Sequence, residues 1–214
     1  MGKINQGILG PFSGKVGTVV GVIRKGQGIM RAYVASIANP RTEAQVNQRI
    51  KFAAALAFLQ PNLAFVKVGY KFYTARMSAI NAAQSYVLKN AITGTAPNFS
   101  VDYALALVSR GKLEGVLTGD ASEAAGSVTA TWSDNSAFGN ARPDDKAMLL
   151  VYNSTQKDAQ ILLDDAATRT DGSITLELPE TYVGGDQLQV YVAFQAADGS
   201  MVSDSSRVGM VTLD

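Results

Sequence analysis

Histidine and cysteine are both missing from this chain of 214 residues. Without a thiol there is no disulfide framework, no cysteine nucleophile and no thiolate ligand. The missing imidazole excludes more. Histidine is the usual general base near neutral pH and the commonest metal ligand, so Ser-His-Asp and Cys-His catalysis and nearly all zinc and haem sites are closed to the chain. Carboxylate, lysine and tyrosine chemistry remains. The expectation is a protein that is not an enzyme and carries no cofactor and no metal. Long apolar runs are lacking as well. No stretch approaches the roughly 18 apolar residues of a membrane-spanning helix, and Gly7, Gly10 and Pro11 interrupt any signal-type core near the N-terminus. These absences predict a cytoplasmic or virion location with no membrane partner.

Acidic side chains are scarce in one half only. Residues 1–115 hold fourteen lysines and arginines against Glu43, Asp102 and Glu114, and residues 116–214 hold five basic against fifteen acidic residues. The net charge of +1 hides this division. Asymmetry between halves points to a charged partner. Hydrophobic residues at 47% and charged residues at 17% are otherwise those of an ordinary folded protein, long enough for one large or two modest domains.

Eight of the twenty glycines fall within residues 1–38. Beta-branched runs around Val16–Ile23 and Ile29–Val34 flank Arg24-Lys25-Gly26-Gln27-Gly28 and read as a hairpin. Its strand glycines leave it weakly specified alone and open to completion by a neighbouring subunit. The alternative is a surface hairpin folded onto the chain's own helices. Gly10 to Lys15 superficially suggests a phosphate loop, but only three residues separate Gly10 from Gly14, and Val16 stands where magnesium needs a hydroxyl.

Thr42 and Gln45 form a capping-box pattern ahead of a helix that Pro61 ends. Val46, Ile50, Ala53 and Ala57 mark its apolar face, widened by Phe52, Leu56 and Leu59. A second long helix is predicted from about Tyr73 to Ile92, stopped by Gly94. Ser100–Ser109 reads as a strand and Arg110-Gly111-Lys112 as its turn; residues 116–125 read as a linker or an opening edge strand. Beyond Gly126, alternation at Val128–Trp132, Met148–Tyr152, Ile174–Leu178, Leu188–Phe194 and Val208–Met210 is broken by turns at Asp171-Gly172, Gly184-Gly185-Asp186 and Asp198-Gly199. About seven short strands in about 95 residues is the pattern of a β-sandwich, with Trp132 as core. The fold class expected is α+β: an N-terminal β-hairpin plus two long helices over 1–115, then an all-β immunoglobulin-like sandwich over 116–214.

The motif Gly10-Pro11-Phe12-Ser13-Gly14-Lys15-Val16-Gly17, followed by Asn39-Pro40-Arg41-Thr42 with Gln45 and a helix through Arg49 to Phe52, resembles a family of uncharacterised bacterial proteins frequent in gut-type Bacteroidota and their mobile elements. The resemblance is best over the N-terminal half. Helices opening on Asn-Pro-Arg-Thr are also similar to those of phage-encoded proteins, which implies a virion or assembly component. It carries no activity and no functional residue. Trp132, the stretch Leu178–Tyr182 and the run Gln189–Phe194 resemble a fibronectin type III or immunoglobulin-like domain. The proline expected soon after the tryptophan is missing, which leaves strand order open.

The functional expectation is a structural protein that joins copies of itself or other structural proteins, a basic half meeting the acidic half of the next copy in a heterologous contact. Arg24, Lys25, Arg41, Arg49, Lys51, Lys67, Lys71 and Arg76 are the candidate contact residues. Nucleic-acid binding by the basic half is the alternative, because Phe65, Tyr70, Phe72 and Tyr73 interleave with those cations. No small-molecule substrate is expected. The pairs Asp144-Asp145 and Asp164-Asp165 suit calcium by oxygen chemistry, but no EF-hand spacing surrounds them and they read as solvated loops.

Overall fold

The computed structural model describes residues 3–4, 12–24, 27–36, 39–75, 77–163 and 166–213. The chain forms two compact units, Met1–Thr42 and Glu43–Asp214.

The first unit is a single antiparallel sheet of four strands in sequence order: β1 (Lys3–Ile4), β2 (Phe12–Val16), β3 (Val19–Arg24) and β4 (Gln27–Ala32). The ladder between β3 and β4 runs over six residue pairs, from Val19 opposite Ala32 to Arg24 opposite Gln27. Gly21 is a site of close approach: a Cβ there would collide with the Phe12 carbonyl oxygen and lie 2.7 Å from the Phe12 ring, which covers the glycine. Every residue of β4 is exposed, and Gly21 alone is buried among the described residues of this sheet.

The second unit is layered. Helices α1 (Glu43–Leu59), α2 (Leu63–Gly69) and α3 (Ala79–Asn90) cover one face of a four-stranded sheet. Asn62 donates from Nδ2 to the Phe58 carbonyl at 2.8 Å where α1 stops, and α2 leaves at 89°. Ser78 caps α3, its hydroxyl accepting from the Asn81 amide at 3.4 Å. A short hairpin of β5 (Ile92–Thr95) and β6 (Asn98–Val101) follows. The remaining strands are β7 (Gly119–Ala124), β8 (Ser127–Trp132), β9 (Lys146–Asn153), β10 (Asp158–Leu162), β11 (Ser173–Glu177), β12 (Gln187–Gln195) and β13 (Ser206–Thr212). They pair as β10-β9-β12-β13 and β11-β8-β7.

The four-stranded sheet is covered on both sides. From β9 and β12, the side chains of Met148, Leu150, Tyr152, Tyr191 and Ala193 join Ala55, Phe58 and Leu59 of α1 in one core. The alternate residues Leu149, Val151, Val190, Val192 and Phe194 join Val128, Ala130 and Trp132 of β8 in a second. The segment between the helices and β7 is part of the same structure. Ser109 donates its hydroxyl to the Ser203 carbonyl at 2.6 Å, and Ala106, Val108 and Leu113 are buried.

These findings correct the expected fold class. Among the described residues the chain is mainly β, with thirteen strands in four sheets and three α-helices of no great length, in place of a hairpin and two long helices followed by an immunoglobulin-like sandwich. The hairpin is the β3–β4 half of a four-stranded sheet. The second helix starts at Ala79, because Ser78 supplies a cap there and Lys71–Tyr73 instead form a separate 3-10 turn. Tyr103–Ser109 is not a strand; its polar groups bond to the β12–β13 connection. The expected stripe on α1 holds only in part: Leu59 is buried as expected, but Ala53 and Ala57 are exposed, and Ala55 and Phe58, outside the stripe, are buried.

Burial of Tyr70, Tyr152, Tyr182 and Tyr191 has a consequence at high pH. Burial is the largest influence on each, and it pushes each phenol above its ordinary value near 10. Above that pH the unfolded chain releases protons that the folded chain keeps, so stability falls as pH rises. In an alkaline titration at 295 nm with circular dichroism, these four of the eight tyrosines are expected to ionise together with loss of fold. Eight phenols titrating near pH 10 with the fold intact would refute this.

Candidate interaction surface

The residues singled out for contact are divided between the two units. Arg24 ends β3, and its side chain, like all of Lys25 and Arg76, lies outside the described residues. Arg41 is exposed in the first unit. In the second unit Arg49 and Lys51 sit on α1, Lys67 on α2 and Lys71 on the 3-10 turn. Arg49, Lys67 and Lys71 are exposed; Lys51 is half-buried, its Nζ 4.7 Å from the centre of the Phe99 ring. The aromatic partners divide. Phe65 and Tyr70 are fully buried core residues, whereas Phe72 and Tyr73 are exposed.

The structure instead assembles a surface around Arg110, which the sequence reading placed in a turn. Its guanidinium carbon lies 5.0 Å from the Tyr73 ring centre and 5.4 Å from that of Tyr86, stacking distances at which a cation is attracted to the ring faces. The backbone fixes the arginine: its amide donates to the Gly69 carbonyl at 3.0 Å, and the next amide, of Gly111, donates to Asp204 Oδ1 at 2.9 Å. Gly111 has no room for a side chain, since a Cβ would run into the Val202 carbonyl oxygen. Two clefts flank Tyr73. One, of about 410 Å³, is lined by Phe72, Tyr73, Gly111, Lys112, Met201 and Val202; the other, of about 420 Å³, lies between Tyr73, Met77, Tyr86, Lys89 and Arg110. Aromatic and methionine side chains line both, together with Lys112 in the first and Lys89 and Arg110 in the second.

A second network sits beneath the neighbouring loop. Arg169 is fully buried. Its Nε donates to Asp145 Oδ2 at 3.1 Å, Nη1 to Asn135 Oδ1 at 2.6 Å and Nη2 to the Glu114 carbonyl at 2.8 Å, while the guanidinium carbon lies 3.8 Å from the Phe194 ring centre. Burial pulls its pKa below the ordinary arginine value, and the Asp145 carboxylate opposes that. Asp145 is thus a buried ion-pair partner and not the solvated loop residue its sequence context suggests; Asp164 and Asp165 lie outside the described residues. This network anchors the loop 134–141, on which Phe138 is 57% exposed. At its far end Asn140 donates to the Lys112 carbonyl at 2.9 Å and accepts from the Glu114 amide at 2.9 Å.

The acidic half has a counterpart cavity of about 510 Å³ whose rim includes Glu123, Glu177 and Glu180.

A family model described as a family of unknown function matches residues 11–209. No curated protein matches the chain. Among solved structures, the crystal structure of pectate lyase Pel3 from Pectobacterium carotovorum is similar over 45% of this chain at 13% identity, with a TM-score of 0.27. The match spans 26% of that enzyme's chain, and a likeness at that score carries no argument.

Proposed function

The chain belongs to DUF6266, a family of unknown function, and from that premise we propose a non-enzymatic structural protein that assembles with copies of itself or with other proteins of a larger particle, such as a phage virion in gut-type Bacteroidota. The observation that carries this reading is the state of the first unit. Its 42 residues include six lysines and arginines and no acid. Its described residues include one sheet, on which Val22, Ile23, Ile29 and Met30 are exposed, Met30 to 67%, and Tyr33 and Val34 just beyond β4 are exposed too. A sheet needs a second layer to bury an apolar face, and a unit of about 40 residues is too small to supply one itself. Among the described residues strand β4 also ends the sheet, its six residues pairing on one side only, an edge open to strand addition. The complementary charge is at hand: residues 43–214 hold thirteen basic and eighteen acidic residues.

Light scattering of the full chain is expected to show a mass that rises with concentration and falls when salt screens the charges. Met30→Lys keeps the sheet acid-free while removing its most exposed apolar side chain, and is expected to weaken association about tenfold, the equivalent of about 1.4 kcal/mol. A wild-type monomer at every concentration and salt would sink the proposal.

Nucleic-acid binding is the second reading. The exposed rings of Phe72 and Tyr73 beside Lys71 and Arg110 favour it, since stacked bases and a phosphate backbone use that combination. The burial of Phe65 and Tyr70 removes half of the platform that the sequence suggested.

A further inference from the structure

We propose that the cleft lined by Tyr73 and Lys112 receives Phe138 of a second copy of this chain, in a reciprocal contact across a two-fold axis; the inference rests on the assembly reading but uses a different surface from the N-terminal sheet. The cleft and the aromatic knob are complementary in chemistry. Phe72, Tyr73 and Met201 line the cleft with Lys112, and Arg110 lies beside Tyr73. Phe138 is 57% exposed, lines neither cleft of its own molecule, and stands on a loop beside two acids. Asp134 is exposed four residues before it, and the Glu114 side chain lies against Gly139, the residue after it. An aromatic knob with Asp134 and Glu114 nearby meets a cleft with Lys112 in its lining and Arg110 beside it, the Asp204 carboxylate at the cleft being engaged by the Gly111 amide; opposite charges on the two sides favour correct encounter.

The position of the two features sets the symmetry. Asn140 donates through one amide group to the Lys112 carbonyl and to the Met201 sulfur, at 2.9 and 3.9 Å. Both residues line the cleft, so knob and cleft are neighbours on one face. A face that carries both halves of a contact is self-complementary, and two copies satisfy each other by a two-fold rotation. Neither half requires ordering on association. The Phe138 loop is pinned at Asn135 by Arg169 and at Asn140 by Glu114. The cleft is pinned by the Arg110 and Gly111 amides. Pre-formed sides lower the entropic penalty of binding, and a buried aromatic with an arginine nearby is the usual composition of an energetic centre. The Arg110 guanidinium, stacked by Tyr73 and Tyr86, is the group that Asp134 or Glu114 of the second copy would meet.

The test is sedimentation velocity on the full chain carrying Met30→Lys, which weakens the sheet contact, over a concentration series at low salt. A dimer is expected to persist, and Phe138→Ala, Tyr73→Ala and Lys112→Glu, each exposed and each checked for an unchanged melting temperature, are expected to raise its dissociation constant at least tenfold. If the dimer persists and none of the three variants changes it, this contact is wrong while the assembly reading stands. If no dimer forms in the Met30→Lys background although the wild type associates, the contact is wrong again. A wild-type chain that never associates overturns both. A single-stranded oligonucleotide retarded at low salt by the wild type, and not by Tyr73→Ala, assigns the cleft to nucleic acid and overturns the contact with a second copy.

Discussion

Replacing Arg169 by alanine is expected to destabilise the protein by about 4 kcal/mol, the range for breaking a buried ion pair from one side. The guanidinium is fully enclosed, and its removal strands the Asp145 carboxylate, which is 1% exposed. That carboxylate has little else to turn to. Its Oδ2 accepts from the Arg142 amide at 2.8 Å, and its Oδ1 has no partner among the described residues. The stack on Phe194 is lost too, leaving a void beside the Trp132–Phe194 pair, whose centres are 5.5 Å apart. Urea unfolding should move to a lower midpoint with an unchanged slope. Arg169→Met combined with Asp145→Leu should recover most of the loss, because two apolar groups leave no buried charge behind. A single substitution that costs less than about 1 kcal/mol, the level of an exposed pair, would show that the network contributes no more than a surface bridge. Loss of the arginine also frees Asn135, so the Phe138 loop should loosen and association weaken alongside stability.

Phe58→Ala should cost a similar amount, about 4 kcal/mol, in the range of buried phenylalanine truncations. Its ring meets Tyr152 edge-on with centres 5.0 Å apart at 88°, and leans on Tyr103 at 5.7 Å and Tyr191 at 6.5 Å. The residue therefore joins α1 to β9 and β12 through aromatic contacts that add to simple burial. Calorimetry and far-ultraviolet dichroism should register one transition in which helices and sheet melt together. A matching result is expected from residues 116–214 expressed alone: with Met148, Leu150, Tyr152, Tyr191 and Ala193 uncovered, that fragment should aggregate or stay molten. A stably folded, monomeric fragment would mean that the helical layer is dispensable, and the argument from Phe58 would fall with it.

Several strands were legible in the sequence because period-two alternation marks any pleated segment, whatever lies on its two sides. The pattern does not say what covers the second face. Along β9, Met148, Leu150 and Tyr152 face the helices while Leu149 and Val151 face the other sheet. Both sets are apolar, and a run apolar on both faces is the sign of a strand buried on both. Read as simple alternation, it hid the helical layer and led to a free-standing sandwich. On α1 apolar residues stand on more than one face, Val46 and Phe52 being exposed, so spacing alone finds the buried Leu59 but not Ala55 and Phe58. The candidate surface was partly visible. Phe72, Tyr73 and Lys71 drew notice, but Arg110 and Phe138 belong to irregular segments whose proximity is created by hydrogen bonds over long sequence separations, from Lys112 to Asn140 and from Asn135 to Arg169. No local spacing encodes those.

The acid-free first unit has a further consequence for control. With no side-chain carboxylate in its 42 residues and no imidazole anywhere in the chain, the unit lacks the side-chain types that ordinarily titrate under mildly acid conditions. Any acid-triggered docking or release at that sheet must therefore be dictated by the titration of whatever it holds.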